Sequence, residues 1–68
     1  MVQVNKHART LMVDKIIRYE NGTMDSETEI IEFFQELINT GMAWSLQGHY
    51  GRTAMRLIEE GLCEDTNV

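Results

Sequence analysis

Residues 25–42 read "DSETEIIEFFQELINTGM" and carry the clearest structural signal in the chain. Ser26 and Glu29 have the spacing of a helix capping box, and the carboxylates around them suit the positive end of a helix dipole. The apolar side chains recur with helical periodicity on one wide face: Ile30, Ile31, Phe33, Phe34, Leu37 and Ile38. The pattern predicts a helix over residues 26–40, which ends at a left-handed Gly41 with Met42 placed to touch Leu37.

Carboxylates line the opposite side of this helix and form an acidic stripe of Asp25, Glu29, Glu32 and Glu36. One interpretation is a solvated face, as on most surface helices. The other is a contact for a basic partner surface, achieved by imitating the phosphates of a nucleic acid. Glu29, Glu32 and Glu36 are therefore candidate partner-binding residues.

Two further helices flank this segment. The first is predicted over residues 6–20, with Asn5 as N-cap and Asn21–Gly22 as the stop. The last is predicted over residues 53–60, with Thr53 as N-cap and Gly61 as the stop. The fold class is therefore all-α: a compact three-helix domain spanning residues 1–68, with a Trp-containing loop between helices 2 and 3.

Length and composition limit the function. A chain of 68 residues with a single cysteine makes no internal disulfide, which fits a reducing cytoplasm. His7, His49 and Cys63 are too widely spaced for a zinc site, so neither a metal nor a cofactor is predicted. No apolar run is long enough to span a membrane. Self-association is the remaining means of stabilising so small a domain, which favours a homodimer over a monomer.

The charge is unevenly distributed. The net charge is -5, yet residues 1–24 carry four basic and two acidic side chains, and residues 25–68 carry two arginines and nine carboxylates. Affinity for nucleic acid depends on cationic contacts, so an acidic chain is a poor match for it. The acidic part suits a basic protein surface, or serves only solubility.

The loop "MAWSLQGHYGRT", residues 42–53, concentrates the chemically versatile side chains. His49 with Tyr50 or Ser45 has the composition of an acid–base pair, but no neighbouring carboxylate would orient it. Gly48, Gly51 and Arg52 precede a helix without the spacing of a phosphate-binding loop. No enzyme activity and no catalytic residue are predicted.

Packing in the core accounts for some of the side chains in this loop. Trp44 and Leu46 are predicted to enter the core, and the two glycines to form turns. His49, Tyr50 and Arg52 then remain as an exposed cluster with the composition of an interface anchor. They are the second set of candidate partner-binding residues.

Residues 33–63, "FFQELINTGMAWSLQGHYGRTAMRLIEEGLC", resemble small proteins of tailed bacteriophages that share a TGxxWxLQGxYGRxA stretch. The resemblance implies a phage product located in the host bacterial cytoplasm. It implies no activity, because the group has no established biochemical role.

Three hypotheses follow. The leading one is a non-enzymatic phage-type accessory protein that binds and modulates a host or phage protein. The alternative is a small dimeric transcriptional or nucleic-acid-associated regulator that uses Lys6, Arg9, Lys15 and Arg18. The third is a purely structural oligomer, such as a component of the virion or of its assembly.

Overall fold

The computed structural model describes residues 12–66 of the protein. Helix α1 covers residues 12–20 of this part, followed by α2 (Glu27–Thr40), α3 (Met42–Ser45) and α4 (Gly48–Glu59). No strand occurs between residues 12 and 66, so the all-α prediction is confirmed. The three-helix count is wrong, because α3 is a separate helix of 4 residues. The predicted start of the first helix at residue 6 and its Asn5 cap lie outside the described residues.

Helix α2 forms as its sequence predicts. The Ser26 side chain accepts a hydrogen bond from the Glu29 backbone N–H at 3.3 Å, which satisfies one of the free donors at the helix start. The predicted apolar face points into the core, where four of its side chains are at most 1% exposed: Phe33, Phe34, Leu37 and Ile38. Burial of this face supplies the stability that a short helix lacks in isolation.

Replacement of Ser26 by alanine tests this cap. We expect Ser26→Ala to lower the free energy of unfolding by about 1 kcal/mol, because the Glu29 N–H loses its side-chain acceptor. Chemical denaturation followed by circular dichroism measures the change. Thr28→Ala, at an exposed position of the same helix turn, is the matched control and should cost less. Equal losses for the two variants would show that the cap contributes nothing specific.

Three of the helices end at glycines in the left-handed conformation, with φ of 74° at Gly22, 81° at Gly41 and 79° at Gly61. The end of α4 shows the geometry clearly. The Leu62 N–H donates to the Leu57 carbonyl at 2.9 Å, and the Gly61 N–H donates to the Ile58 carbonyl at 3.0 Å. A side chain at this φ would be strained, so glycine is the residue that permits this closure. All three predicted stops are confirmed.

Helix α4 begins five residues before the predicted start, at Gly48 instead of Thr53. Thr53 therefore lies inside the helix, and its prediction as N-cap is wrong. Gln47 occupies the capping position, and its carbonyl accepts a hydrogen bond from the Tyr50 N–H at 2.9 Å. Glycine costs up to about 1 kcal/mol in a helix. Burial of Tyr50 and Ala54 on the inner face of α4 offsets that cost.

The core is a cluster of aromatic rings contributed by three helices. Tyr19 of α1 lies 5.4 Å from Phe33, 5.3 Å from Phe34 and 5.8 Å from Tyr50 between ring centroids. The tilted and edge-to-face arrangements are those that aromatic pairs prefer. This cluster holds α1 and α4 against α2 and thereby determines which side chains of α3 and α4 remain on the surface.

Candidate functional site

Tyr50, one of the predicted partner-binding residues, lies in the interior with 1% of its surface exposed. Its hydroxyl donates a hydrogen bond to a Glu20 carboxylate oxygen at 2.5 Å. Because α4 already begins at Gly48, Tyr50 and Ala54 lie four residues apart on the same inward face. The prediction that Tyr50 is an exposed anchor is wrong, since it joins α4 to the end of α1.

The environment keeps Tyr50 neutral. Burial, followed by the hydrogen bond to Glu20, raises the pKa of the Tyr50 hydroxyl far above its ordinary value. A phenolate there would be a buried anion next to a carboxylate. Tyr50 is therefore a structural hydrogen-bond donor.

His49 points to a different place from Arg52. It lines an open groove of about 510 Å³ together with Tyr19, Glu20 and Gln47, near the end of α1. Its ring centroid lies 4.2 Å from that of Tyr50. The Glu20 carboxylate in this groove already accepts a hydrogen bond from the Tyr50 hydroxyl. Within residues 12–66 no three histidine, cysteine, aspartate or glutamate side chains are grouped so that they could hold a metal ion.

Two carboxylates of the acidic stripe are ion-pair partners of α1. Glu36 pairs with Lys15 at 2.7 Å, and Glu29 accepts two hydrogen bonds from the Arg18 guanidinium at 2.5 and 3.1 Å. The hydrogen bond from Arg18 to Glu29, followed by their electrostatic attraction, raises the pKa of Arg18. Glu32 is exposed between them and forms no ion pair with a described residue. The stripe thus serves in part to hold α1 against α2.

A second groove, of about 620 Å³, runs along the outer face of α4, and we call it the α4 groove. It is lined by Trp44, Gly48, Gly51, Arg52, Met55, Arg56 and Glu59. The positions on α4 are three or four residues apart, so they share one side of the helix. Arg52 is the one predicted site residue that lies in it.

Trp44 lies at the head of the α4 groove and is 42% exposed. The prediction that it enters the core is wrong, because the α3 turn directs Ala43 inward, at 1% exposed, and turns Trp44 outward. Met55 on α4 is similarly exposed, at 46%. Sequence reasoning missed Trp44, Met55 and Arg56 as site residues. The available signal for Met55 and Arg56 was their helical spacing with Gly48, Gly51 and Arg52, which an assumed loop over residues 42–51 concealed. Trp44 lies on the separate helix α3, so no helical period connects it with these positions.

Gly51 lies beneath the indole of Trp44. A Cβ atom at Gly51 would lie 3.7 Å from Cε3 of Trp44 and 3.5 Å from the Ala43 carbonyl oxygen, which are ordinary contact distances. We therefore expect Gly51→Ala to fit and to raise the free energy of unfolding by about 0.5–1 kcal/mol, the usual gain over glycine within a helix. Thermal unfolding of Gly51→Ala and the wild type measures this gain in stability.

Gly61→Ala is the opposite control for this substitution, because φ at Gly61 is 79° and alanine there should destabilise. A loss of stability in Gly51→Ala would show that the ring of Trp44 cannot accommodate even one methyl group.

The cations of the described part divide into two pairs. Lys15 and Arg18 are neutralised by carboxylates of α2. Arg52 and Arg56 form no ion pair with any residue between 12 and 66, although Glu60 follows Arg56 by one helix turn. Both of these arginines line the α4 groove. The groove therefore joins exposed apolar surface to two arginines that form no ion pair among residues 12–66, with Glu59 at its far end.

The chain belongs to the family described as "Domain of unknown function (DUF7417)", which it matches over residues 7–68. No curated protein and no solved structure matches it. None of the helices between residues 12 and 66 combines the length and apolarity that crossing a membrane requires.

Proposed function

We propose that this protein is a non-enzymatic binding module that acts by occupying a surface of another protein, and that the α4 groove is its contact face. The observation that carries the proposal is the exposure of Trp44 and Met55 beside Arg52 and Arg56. Tryptophan, methionine and arginine are enriched at protein interfaces, and tryptophan and arginine dominate their binding energy.

The resemblance to bacteriophage proteins supports a host or phage protein as the partner, met in the host bacterial cytoplasm. A small protein that covers a partner's surface modulates it without chemistry of its own. The site residues of the proposal are Trp44, Arg52, Met55 and Arg56. His49 and Glu32 are left as secondary contacts, because both lie outside the α4 groove.

Nucleic-acid regulation is the alternative, and the charges of the described residues support it less. Lys15 and Arg18, which would contact phosphate, are engaged by Glu36 and Glu29. A net charge of -5 also repels a polyanion. A gel-shift experiment at physiological salt separates the two functions, since binding to nucleic acid should weaken steeply as salt rises.

Affinity capture with a groove variant tests the proposal. Met55→Glu keeps a good helix former and places a negative charge in the groove, so we expect it to reduce partner binding at least about tenfold. Ile17→Glu is the matched control, because Ile17 is also half exposed, at 50%, but lies on α1. The captured protein is then purified and its affinity for each variant is measured by calorimetry.

Retention of the partner by the Ile17 variant and its loss from the Met55 variant would support the proposal. Equal affinity of both variants and the wild type would place the contact elsewhere. Absence of any protein bound at fixed stoichiometry by the wild type would remove the proposal itself.

A further inference from the structure

We infer that the occupant of the α4 groove is an acidic amphipathic helix of the partner, an inference that rests on the proposed function. The α4 groove extends from Gly48 to Glu59, which at the rise of an α-helix is about 16 Å. An open, shallow groove of this length along one helix can receive about three turns of a second helix.

The charges determine which kind of helix fits. Arg52 and Arg56 are one turn apart, which places their Cα atoms about 6 Å apart along the helix axis. Two carboxylates separated by four residues on a partner helix have the same spacing. Arginine pairs with carboxylates through a planar fork of donors, and neither guanidinium has an ion pair among residues 12–66.

The floor of the groove determines where the apolar residues of the partner lie. The space above the two glycines is already occupied, because a Cβ atom at Gly51 would lie 3.7 Å from the Trp44 indole and one at Gly48 would lie 3.0 Å from the Arg52 guanidinium. The apolar surface left open on this face is that of Trp44 and Met55, which are 42% and 46% exposed. A leucine-sized side chain of the partner would pack on this surface and contact the indole and the thioether. The carboxylates of the partner helix flank this apolar side chain.

Glu59 limits where acidic residues of the partner helix can lie at the C-terminal end of the α4 groove. Glu59 lines the groove beyond Arg56, so a partner carboxylate near this residue would be repelled. The acidic residues of the partner therefore lie over the Arg52–Arg56 part of the groove, and a neutral or basic residue lies over Glu59. The same placement distinguishes a short acidic helix from a nucleic acid, whose negative charge continues along its whole length.

The test uses two synthetic helical peptides of about 15 residues. Both carry leucines on one face, and the positions flanking that face are glutamate in one peptide and lysine in the other. Trp44 is the single tryptophan of the protein, so its fluorescence reports binding at the groove directly. We expect the glutamate peptide to bind at least about tenfold more tightly than the lysine peptide, and to weaken as salt rises.

Two matched variants test whether the preference for the glutamate peptide depends on the arginines of the groove or on the net charge of the protein. Arg56→Gln removes one positive charge from the groove and should abolish most of the preference for glutamate. Thr28→Glu changes the net charge by the same amount on exposed α2 surface outside the groove, and it should leave most of the preference intact. An equal loss in both variants would overturn the inference, because only the net charge would then matter.

Other results of the peptide experiment would also overturn the inference. Equal affinity for the two peptides, tighter binding of the lysine peptide, or no binding of the glutamate peptide at about millimolar concentration would overturn the proposed partner chemistry. Tighter binding of a thymidine oligonucleotide than of the glutamate peptide would assign the groove to nucleic acid. The capture experiment with Met55→Glu is independent, so the binding-module proposal stands if only the peptide preference fails.

Discussion

Tyr50→Ala should leave little folded protein. Tyr50 is 1% exposed, its ring packs near Tyr19 and Phe34, and its hydroxyl bonds to Glu20. Removal of a buried aromatic ring costs about 3–5 kcal/mol. A domain of this size is stable by only about 5 kcal/mol. We therefore expect the cooperative unfolding transition to be lost or shifted close to ambient temperature, as measured by circular dichroism during heating.

Two variants define the origin of this effect. Tyr50→Phe keeps the ring and removes only the hydroxyl, so its cost should be about 1–2 kcal/mol. His49→Ala, at the neighbouring and partly exposed position, should cost less than about 1 kcal/mol. A stability of Tyr50→Ala within about 1 kcal/mol of wild type would contradict the assignment of Tyr50 to the core.

The burial of Tyr50 also determines which substitutions can test the binding surface. Loss of a partner from a Tyr50→Ala variant would report unfolding and not a missing contact. Substitutions at Arg52, Met55 and Arg56 avoid this difficulty, because these side chains are on the outer face of α4.

The second large effect is expected at alkaline pH. Burial and the bond to Glu20 hold the pKa of Tyr50 above its ordinary value of 10.0, so the folded protein keeps a proton that the unfolded chain releases. The resulting stability is present in full below pH 10.0 and is lost as the pH rises above it. We expect the free energy of unfolding to fall progressively in that range, which urea titrations at a series of pH values measure.

A Tyr19→Phe background isolates the group responsible, because Tyr50 is then the remaining one of the two tyrosines. Phenolate absorbance should appear together with unfolding. Burial also raises the pKa of the Cys63 thiol, so the series is repeated with Cys63→Ala to remove that contribution. Ionisation of Tyr50 near pH 10.0 in a protein that stays folded would contradict the prediction.

The local signals in the sequence were reliable where short-range chemistry decides the structure. Ser26 caps α2 as its spacing to Glu29 predicts, and Gly22, Gly41 and Gly61 end helices in the left-handed conformation. A cap needs only neighbouring residues, and a left-handed turn needs only glycine. The buried face of α2 likewise follows from its periodicity.

The segment around Trp44 was not predictable in the same way. Gly48 and Gly51 are weak helix formers, so an isolated segment containing them favours a turn. Their helix exists because Tyr50 and Ala54 are buried against the rest of the core. Packing free energy outweighs local propensity here, and it decides that Tyr50 points inward while Trp44 points outward.

The candidate site was affected most by this difference. Of the predicted partner-binding residues, Arg52 lies in the α4 groove, Tyr50 is buried, and Glu29 and Glu36 are paired with α1. These pairings join residues that are eleven or more positions apart in the chain. Residue types and spacing along the sequence do not reveal which carboxylate a distant arginine will reach.

Short-range signals were enough to predict that this protein is all-α, where α2 begins and where the helices stop, because caps, left-handed glycines and an amphipathic period act within a few residues. Long-range packing sets the start of α4 at Gly48, the burial of Tyr50, and the exposure of Trp44 beside Arg52 and Arg56. Those outcomes depend on burial against side chains far away in the chain, whose free energy exceeds the local preference of each residue.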